Sequence, residues 1–435
     1  MLNGIFVALV AAAVLAAAFA GEMPAANDAA IAAAKSAVDV TIGLVGVMAL
    51  WLGFMRVLRE AGFLGALARG LRPVLQRLFP DVPPDHPAMG AIVLNLAANV
   101  LGLGNAATPF GLAAMRELDQ LNPRPGVATN AMALFLAINT AGIAVLPLGA
   151  IAVRASLGSA NAAGIVAPSL VASACATLAA IAAAKWLERR RRFAMERAEL
   201  PEPRGSAAAA PFAELRGFEE AQRLAAAAPL ADPLRRGLAL AFALALSAAL
   251  ARAFYLAPSL ETAKSVLSSW LLPALMAAIA LAGFARRVPV YDAFIAGARE
   301  GLGIAVAILP FMLAILVAVA LFRASGALDA LTAALAPLTG LVGFPAEALP
   351  MALIRPLSGS GALAVMTETM QHYGPDSFPG FLVCVINGSS ETTFYVLALY
   401  LGSVGVRASR HTVIACLAGD LAGLAGALAA SRVFF

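Results

Sequence analysis

The composition of this 435-residue chain indicates a protein that lies in a lipid bilayer. Apolar residues make up 61% of the chain and charged residues 13%, whereas soluble proteins contain about 45–50% and about 25% of these classes. Apolar runs long enough to cross the hydrocarbon core recur along the sequence. The net charge of +5 is not arranged as a basic face, which argues against a nucleic-acid-binding protein.

The cysteines and histidines are too few and too scattered to form a metal site or a disulfide framework. The chain has three of each, and no pair has the spacing that zinc ligands need. No serine, histidine and acidic residue form a catalytic pattern either. The sequence therefore predicts no metal, no cofactor and no enzymatic activity.

Apolar runs in chain order predict helices, because strands with unpaired edges cannot cross lipid. The runs of the first half are 2–20, 29–58, 62–80, 87–116, 126–153 and 163–186. Those of the second half are 237–256, 265–284, 292–322, 325–343, 348–371, 377–404 and 411–430. The run at 2–20 lacks the basic segment of a signal peptide, so we read it as a retained span. The pattern predicts an all-α polytopic membrane protein with about ten membrane segments.

A charged segment separates the two apolar halves. Ten of the 30 lysines and arginines and eight of the 25 acidic residues lie between Trp186 and Arg236. We therefore divide the chain into a first repeat with an N-terminal span (1–190), a charged cytoplasmic connector (191–236) and a second repeat with two leading spans (237–435).

The two halves contain related sequences. Leu58–Leu67 resembles Phe322–Leu331 at an offset of 264 residues, and the Val-Arg-Ala-Ser sequence at 153–156 recurs at 406–409. An ordered series of such matches predicts an internal repeat.

The arginines predict that the two copies are inverted. Five arginines lie in the stretch 56–77, whereas the corresponding stretch 321–344 contains only Arg323. The positive-inside rule places the first stretch in the cytoplasm and the second outside.

The inverted arrangement requires a helical hairpin in each copy. Pro87–Met115 must enter and leave on one side, and each arm would be about 20 Å long, short of the roughly 30 Å hydrocarbon core. We expect a re-entrant hairpin with its tip at Asn99–Asn105, and an equivalent hairpin from Pro350 to about Met370. Backbone at such a tip must be buried in protein or line a wet cavity.

Uncharged polar residues mark the first hairpin tip and the helix that follows it. They are Asn95, Asn99, Asn105, Thr108 and Asn139. Amides and hydroxyls at membrane depth could bind a solute by hydrogen bonds, and the glycines between them could unwind the helix. The alternative is helix packing, in which small residues let helices approach and asparagine bonds across them.

The second hairpin tip contains Arg355, Ser358 and Ser360. An arginine at membrane depth is costly and usually pairs or faces a cavity, so Glu368 and Glu391 are its candidate partners. In the alternative, Arg355 lies near the interface and extends its head to water.

The third polar group lies inside the apolar run at 377–404 and consists of Asn387, Ser390, Glu391 and Thr392. An ionised Glu391 is costly in a low dielectric, so we expect it to be protonated, paired or bound to a ligand. A substrate or proton site and a structural pair with Arg355 both fit this pattern. Asp39 and Asp420 also lie in apolar runs, where we expect them near helix ends or packed locally.

These motifs resemble those of a known family of membrane proteins. Residues 1–190 resemble spore maturation protein A through Asn95–Pro109 and Asn139-Thr140, and residues 237–435 resemble spore maturation protein B through Arg355–Gly361 and Asn387–Tyr395. Both belong to the nucleoside-recognition or Gate-domain superfamily, which is similar to segments that form the membrane pathway of concentrative nucleoside transporters. The resemblance implies two Gate-type repeats and a role in transport, without naming a substrate.

We therefore predict a multi-pass transporter of the bacterial plasma (inner) membrane. Its site would lie mid-membrane between the inverted repeats and would take a small polar or anionic solute, nucleoside-like or amino-acid-like, with a proton or sodium. The expected partners are the lipid bilayer and the solute, without nucleic acid, and the sequence allows a homo-oligomer. The alternative is a membrane scaffold or regulator of spore or envelope maturation, whose connector recruits a cytosolic partner.

Overall fold

The structure, a computed structural model, describes residues 2–101, 107–142, 144–193, 233–256, 270–340 and 342–435. Within this part of the chain the protein is helical, and extended pairing is limited to one bridge between Val127 and Ala408. Most of the connector predicted at 191–236 lies outside the described residues.

The helices fall into two series of seven with the same order. The first series and its leading helix are α1 (Leu2–Ala20), α2 (Met23–Glu60), α3 (Phe63–Leu78), α4 (Pro87–Val100), α5 (Thr108–Gln120), α6 (Asn130–Ala141), α7 (Leu148–Ser156) and α8 (Val166–Leu187). The helices α9 (Pro233–Leu256) and α10 (Leu271–Ala285) come next. The second series is α11 (Val290–Ala324), α12 (Ala327–Gly340), α13 (Leu349–Ile354), α14 (Gly359–Tyr373), α15 (Phe378–Ser389), α16 (Thr393–Ser403) and α17 (Thr412–Phe434). In this order α2 to α8 correspond to α11 to α17.

Several helical stretches have the length and composition of membrane spans. They are Met23–Glu60, Ala162–Leu187, Pro233–Ala253, Phe378–Ser403 and Thr412–Phe434. The last two belong to the second series and the first two to the first, so both repeats enter the bilayer. The protein is a multi-pass membrane protein.

Corresponding helices of the two repeats pack against each other in opposite directions. Gly297 of α11 lies against Gly53 of α2, and Gly301 lies against Ala49, so the residue number falls along one helix as it rises along the other. The pair α8 and α17 behaves in the same way, because Gly419 contacts Ala180 whereas the later Gly423 contacts Ala176. The repeats are therefore inverted, as the arginine distribution predicts.

The close approach of α2 and α11 depends on glycine. A Cβ added to Gly301 would lie 2.7 Å from the Cα of Ala49, and one added to Gly297 would lie 2.9 Å from the Cα of Gly53. Small residues of this kind let two membrane helices pack backbone against backbone.

The repeated Val-Arg-Ala-Ser sequence makes reciprocal contacts between the copies. Arg154, at the end of α7, donates hydrogen bonds to Pro375 O and to Asp376 in the loop between α14 and α15. In the loop between α16 and α17, the backbone N–H groups of Arg407 and Ala408 donate to Gly126 O, in the loop between α5 and α6. Each copy is thus attached to the corresponding loop of the other, as expected for a two-fold arrangement.

Both predicted hairpins are present. In the first copy α4 and α5 are separated at 101–107, and in the second α13 and α14 are separated at 355–358. With a rise of 1.5 Å per residue, α4 reaches about 21 Å and α13 only about 9 Å, so neither first arm can cross the hydrocarbon core. The second hairpin is therefore strongly unequal, which its apolar sequence did not indicate.

The runs predicted as single spans at 126–153 and 377–404 are each broken in two. In the first, α6 ends at Ala141 and the chain restarts as α7 after Pro147, which has no N–H to continue a helix. In the second, α15 ends at Ser389 and extended residues lead to α16. Because the residues on both sides of each break are apolar, the hydropathy pattern does not show where the helix is interrupted.

The N-terminal ends of α6 and α15 show why these helices begin where they do. Thr129 accepts a hydrogen bond from Met132 N (3.1 Å), and Ser377 accepts one from Gly380 N (3.1 Å). These are N-caps at corresponding positions of the two copies. Both helices then run into the protein core, where α6 is buried along most of its length.

Candidate functional site

Backbone hydrogen bonds join the two hairpin tips to the two helix breaks. Glu391 N donates to Thr140 O (2.7 Å), which links the break of the second copy to the end of α6 in the first. Val145 N donates to Val100 O (3.0 Å), so the break of the first copy contacts its own hairpin tip. In the second copy, Phe394 N donates to Pro356 O (2.9 Å). The four interruptions therefore meet at one place, where backbone groups that lipid could not satisfy find partners.

The asparagines of the first copy form a connected group. Asn99 Nδ2 donates to Asn139 Oδ1 (2.9 Å), and Asn95 Nδ2 donates to Ala107 O (2.9 Å) across the hairpin. Asn139 in turn donates to Phe135 O (2.9 Å). The buried amides of Asn95 and Asn139 thus hold the hairpin and α6 in place, while Asn99 is only half-buried.

Two polar residues of the first tip remain, Thr108 and Asn105. Thr108 begins α5, and the hydroxyl of Tyr400 on α16 of the other copy interacts with Thr108 and Asn95. Asn105 lies outside the described residues. An aromatic hydroxyl contributed by the other repeat could not be anticipated from the first repeat's sequence.

Arg355 lies opposite Glu391. Its Nη2 is 4.0 Å from Glu391 Oε2, and the arginine side chain is 9% exposed whereas the glutamate side chain is 54% exposed. The other proposed partner, Glu368, is bound by Arg323 through two contacts of 2.5 and 3.0 Å. Of the two candidates, Glu391 is therefore the one that faces Arg355, and the pairing of Arg355 with Glu368 was wrong.

Asp420 belongs to the same cluster, which the sequence did not predict. It lies in the middle of α17 instead of near an end, and its Oδ2 accepts a hydrogen bond from Thr393 Oγ1 (2.7 Å). It is also close enough to Arg355 to interact electrostatically. The sequence did contain a signal for Asp420, because it is the only charged residue of α17 before the last turn of that helix.

The hydroxyl residues surround the second hairpin tip. Ser358 Oγ accepts a hydrogen bond from Gly361 N (3.0 Å) and so caps α14, and Ser360 Oγ lies 3.4 Å from it. Thr392 approaches the same tip, because a Cβ on Gly359 would lie 2.9 Å from Thr392 Oγ1. The other two predicted residues, Asn387 and Ser390, lie at the end of α15, half-buried and buried respectively.

Asp39, in contrast, lies elsewhere. It lines a separate cavity of about 440 Å³ between α2, the end of α7 and the end of α14. In this cavity Gln371 Nε2 donates a hydrogen bond to Ser36 Oγ (2.7 Å). Asp39 therefore does not join the group around Arg355.

The cluster offers partners of both charge signs to a ligand. The helices α14 and α16 begin beside the breaks with their positive dipole ends, whereas α6 and α15 end there with their negative ones. Within the described chain, Arg355 Nε and Asp420 Oδ1 are buried without a hydrogen-bond partner. Buried polar atoms of this kind usually find partners, and a polar ligand would supply them. No group of three His, Cys, Asp or Glu in the same part of the chain could hold a metal ion.

Comparison with known proteins identifies the repeats. The family described as Gate, nucleoside recognition, matches residues 41–156 and 305–407, which together make up about half of the chain. The chain is 40% identical to spore maturation protein A of Bacillus subtilis (strain 168) over 192 residues, 44% of this chain and 98% of that protein. It is 41% identical to spore maturation protein B of the same organism over 169 residues, 39% of this chain and 95% of that protein. No solved structure matches.

The two matched segments coincide with the two structural copies. The first runs from within α2 to the end of α7, and the second runs from within α11 to just beyond α16. Each segment contains a hairpin and a broken helix, so the family's domain occurs twice. The chain therefore belongs to the Gate family of nucleoside-recognition membrane proteins, is related to spore maturation proteins A and B, and contains two inverted Gate repeats.

Proposed function

We propose that this protein transports a small polar or anionic solute across the membrane. The observation that carries the proposal is the meeting of four chain interruptions from two inverted repeats around Arg355, Glu391 and Asp420. Secondary transporters built from inverted repeats bind their substrates at such broken helices near the middle of the membrane.

The chemistry of the cluster favours a solute with an anionic or strongly polar group. Arg355 has a buried Nε without a partner and would bind a carboxylate or phosphate, and the capped N-terminus of α14 would add to its attraction. Glu391, whose side chain is half exposed, would receive a donor group of the solute or a proton. Asn99, Ser360 and Thr392 would select among solutes by hydrogen bonds.

The family description and the residues together suggest where to look for substrates. Nucleoside-like and amino-acid-like solutes both present the donors and acceptors that this cluster could bind, and a proton or a sodium ion would accompany them. Asp420 becomes a candidate for proton coupling beside Glu391, since both carboxylates flank Arg355.

A substrate screen followed by uptake measurements tests the proposal. The purified protein is first screened by thermal shift against nucleosides, amino acids, peptides and dicarboxylates, and a stabilising compound is then followed in proteoliposomes as a radiolabelled solute. We expect Glu391→Gln to reduce uptake at least about tenfold, because a hydrogen bond to a charged group contributes about 1.5–3 kcal/mol.

The matched control is Glu347→Gln, which removes an acid ahead of the second hairpin instead of one at the break between α15 and α16. It should leave uptake unchanged, and both variants should keep the thermal stability of the unmodified protein. Full uptake by a folded Glu391→Gln protein would contradict the proposed site.

We also propose the placement of the chain in the cell. The arginine distribution supports a plasma (inner) membrane protein whose connector (191–236) is cytoplasmic and separates the units 1–190 and 237–435. The names of the two relatives support a second candidate, a membrane scaffold in spore or envelope maturation. A scaffold should tolerate Glu391→Gln and fail when the connector is deleted, which is the reverse of what transport requires.

A further inference from the structure

A second site lies at the base of the first hairpin, away from its tip. A cavity of about 550 Å³ opens there between α3, the beginning of α4 and the end of α5. Its size is within the range of small-molecule sites. The residues that line it include Arg69, Arg72, His86, Gly90, Arg116 and Glu117.

The cavity has an excess of positive charge. Three arginines line it, and the opposing carboxylates are those of Asp85 and Glu117. Asp85 is a weak counter-charge, because its side chain is fully exposed and stands 3.7 Å from Arg72. Arg72 also donates a hydrogen bond to Pro84 O (3.1 Å), which holds its guanidinium at the cavity's edge.

The N-terminal end of α4 adds to this positive potential. Pro87 begins the helix, and His86 Nδ1 accepts a hydrogen bond from Ala88 N (3.2 Å). Because Nδ1 is the acceptor, a neutral imidazole presents its N–H at Nε2. Gly90, one turn further, faces open space, with no atom within 4 Å of where a Cβ would be. The first turn of α4 therefore borders the cavity and contributes the positive end of its dipole, although Ala88 N and Met89 N already donate to His86.

The corresponding helix of the second repeat lacks this charge. At the offset of 264 residues, Ala333 and Ala336 replace Arg69 and Arg72. The basic cavity is thus an addition to one copy and not a requirement of the Gate fold.

The position of α3 indicates which anion reaches the cavity. Leu67, Leu71 and Leu75 face the core, while Arg69 and Arg72 are exposed on the other side. The helix α3 begins three residues after the membrane span α2 ends. A basic segment that directly follows a membrane span lies at the membrane surface, where anionic lipid phosphates attract it. We propose that this cavity binds the phosphate of an anionic glycerophospholipid headgroup, which then connects α3 to both arms of the first hairpin.

Native mass spectrometry of the full chain in detergent tests this site. The protein is titrated with dioctanoyl-phosphatidylglycerol, with dioctanoyl-phosphatidylcholine and with inorganic phosphate, and the bound lipid is counted. We expect the phosphatidylglycerol to bind, and the double variant Arg69→Ala, Arg72→Ala to weaken its binding at least about tenfold.

Arg77→Ala is the matched control, because it removes the same charge from the same helix at a residue that does not line the cavity. It should change the affinity less than twofold. Gly90→Leu retains every charge but fills the open space, and it should weaken binding as strongly as the double variant. Three results would overturn the site: equal binding of both lipids, equal effects of Arg77→Ala and the double variant, or no effect of Gly90→Leu in a folded protein. Inorganic phosphate that binds as tightly as phosphatidylglycerol would exclude a lipid as the ligand.

Discussion

Arg154 shows how one side chain can hold two repeats together. It is 2% exposed, donates to Ser159 Oγ (2.9 Å) and Asn161 O (3.1 Å) of its own copy, and binds Asp376 (2.8 Å) of the other. Its guanidinium also lies 5.4 Å from the ring centroid of Phe381. Charged groups of this burial are usually paired, and removal of one partner leaves the other uncompensated.

Asp376 makes this contact dependent on pH. Burial alone would raise its pKa, but hydrogen bonds from Ser159 and Ala160 N and the charge of Arg154 together lower the pKa below its usual value. A carboxyl whose pKa is lowered in the folded state stabilises that state above its unfolded pKa of about 3.9, and this contribution is lost as the pH falls through the folded value.

We therefore expect Asp376→Asn to lower the melting temperature at pH 7 and at pH 5. The difference from the unmodified protein should shrink below about pH 4, where the unmodified carboxyl also becomes protonated. Thermal unfolding of the detergent-solubilised protein at several pH values measures this. Asp81→Asn, at an exposed acid in the loop before the first hairpin, serves as control, and an equal difference at pH 3 and pH 7 would contradict the explanation.

At the scale of the helices, α2 and α11 of the inverted repeats pack backbone against backbone. This packing allows no side chain at Gly301, where a Cβ would already meet the backbone of Ala49 at 2.7 Å. Two residues further along α11, Gly303 has no atom within 4 Å of a Cβ position. The two glycines therefore form a natural pair of test and control.

Gly301→Leu should force α2 and α11 apart and destabilise the protein by about 1–3 kcal/mol or more, as overpacking does. Gly303→Leu changes the same residue type in the same helix and should be neutral or slightly stabilising, since leucine favours helix more than glycine. Differential scanning fluorimetry and the yield of monodisperse protein compare the two. Equal melting temperatures would show that the helices are not packed as described.

The helix elements were predictable to different degrees. Pro87–Val100 and Thr108–Gln120 were expected as two arms of a hairpin. The positive-inside rule places the arginines before and after them on the same side of the membrane, so the chain between must enter and leave on that side. The breaks after Ala141 and after Ser389 were missed, since the residues beyond each are apolar enough to continue a span. Hydropathy reports the environment of a segment, and it does not report where helical hydrogen bonding stops.

The polar residues of the candidate site could be predicted from the sequence, but which of them pair with each other could not. Arg355 and Glu391 were identified because charge at membrane depth is costly. Asp420 was not placed with them, and Glu368 was wrongly offered as a partner, because both assignments depend on which helices pack together. The side chain that engages Glu368 is Arg323, 45 residues away.

For the whole molecule, the inverted repeats place the loops after α3 and after α12 on opposite sides of the membrane. The structure describes exposed residues in both loops, Asp81 and Val342. In a background without the three native cysteines, we expect a membrane-impermeant maleimide added to right-side-out vesicles to label Val342→Cys and not Asp81→Cys.

The complementary result is expected in inverted vesicles, where Asp81→Cys should react and Val342→Cys should not. Labelling after detergent lysis provides the control that both thiols are reactive. If both positions react from one side of sealed vesicles, the two repeats have the same orientation and the transport proposal loses its foundation.

If the protein transports a solute as proposed, the bond from Glu391 N to Thr140 O would limit leakage through it. This bond joins the two repeats at their breaks, so a movement of one repeat against the other would leave one N–H and one C=O unpaired. Each buried group left in this way costs about 1–3 kcal/mol. A solute that bonded both groups would remove the cost, and an empty protein would then resist the movement that a loaded one allows. This single main-chain hydrogen bond would therefore keep the pathway closed while no solute is bound.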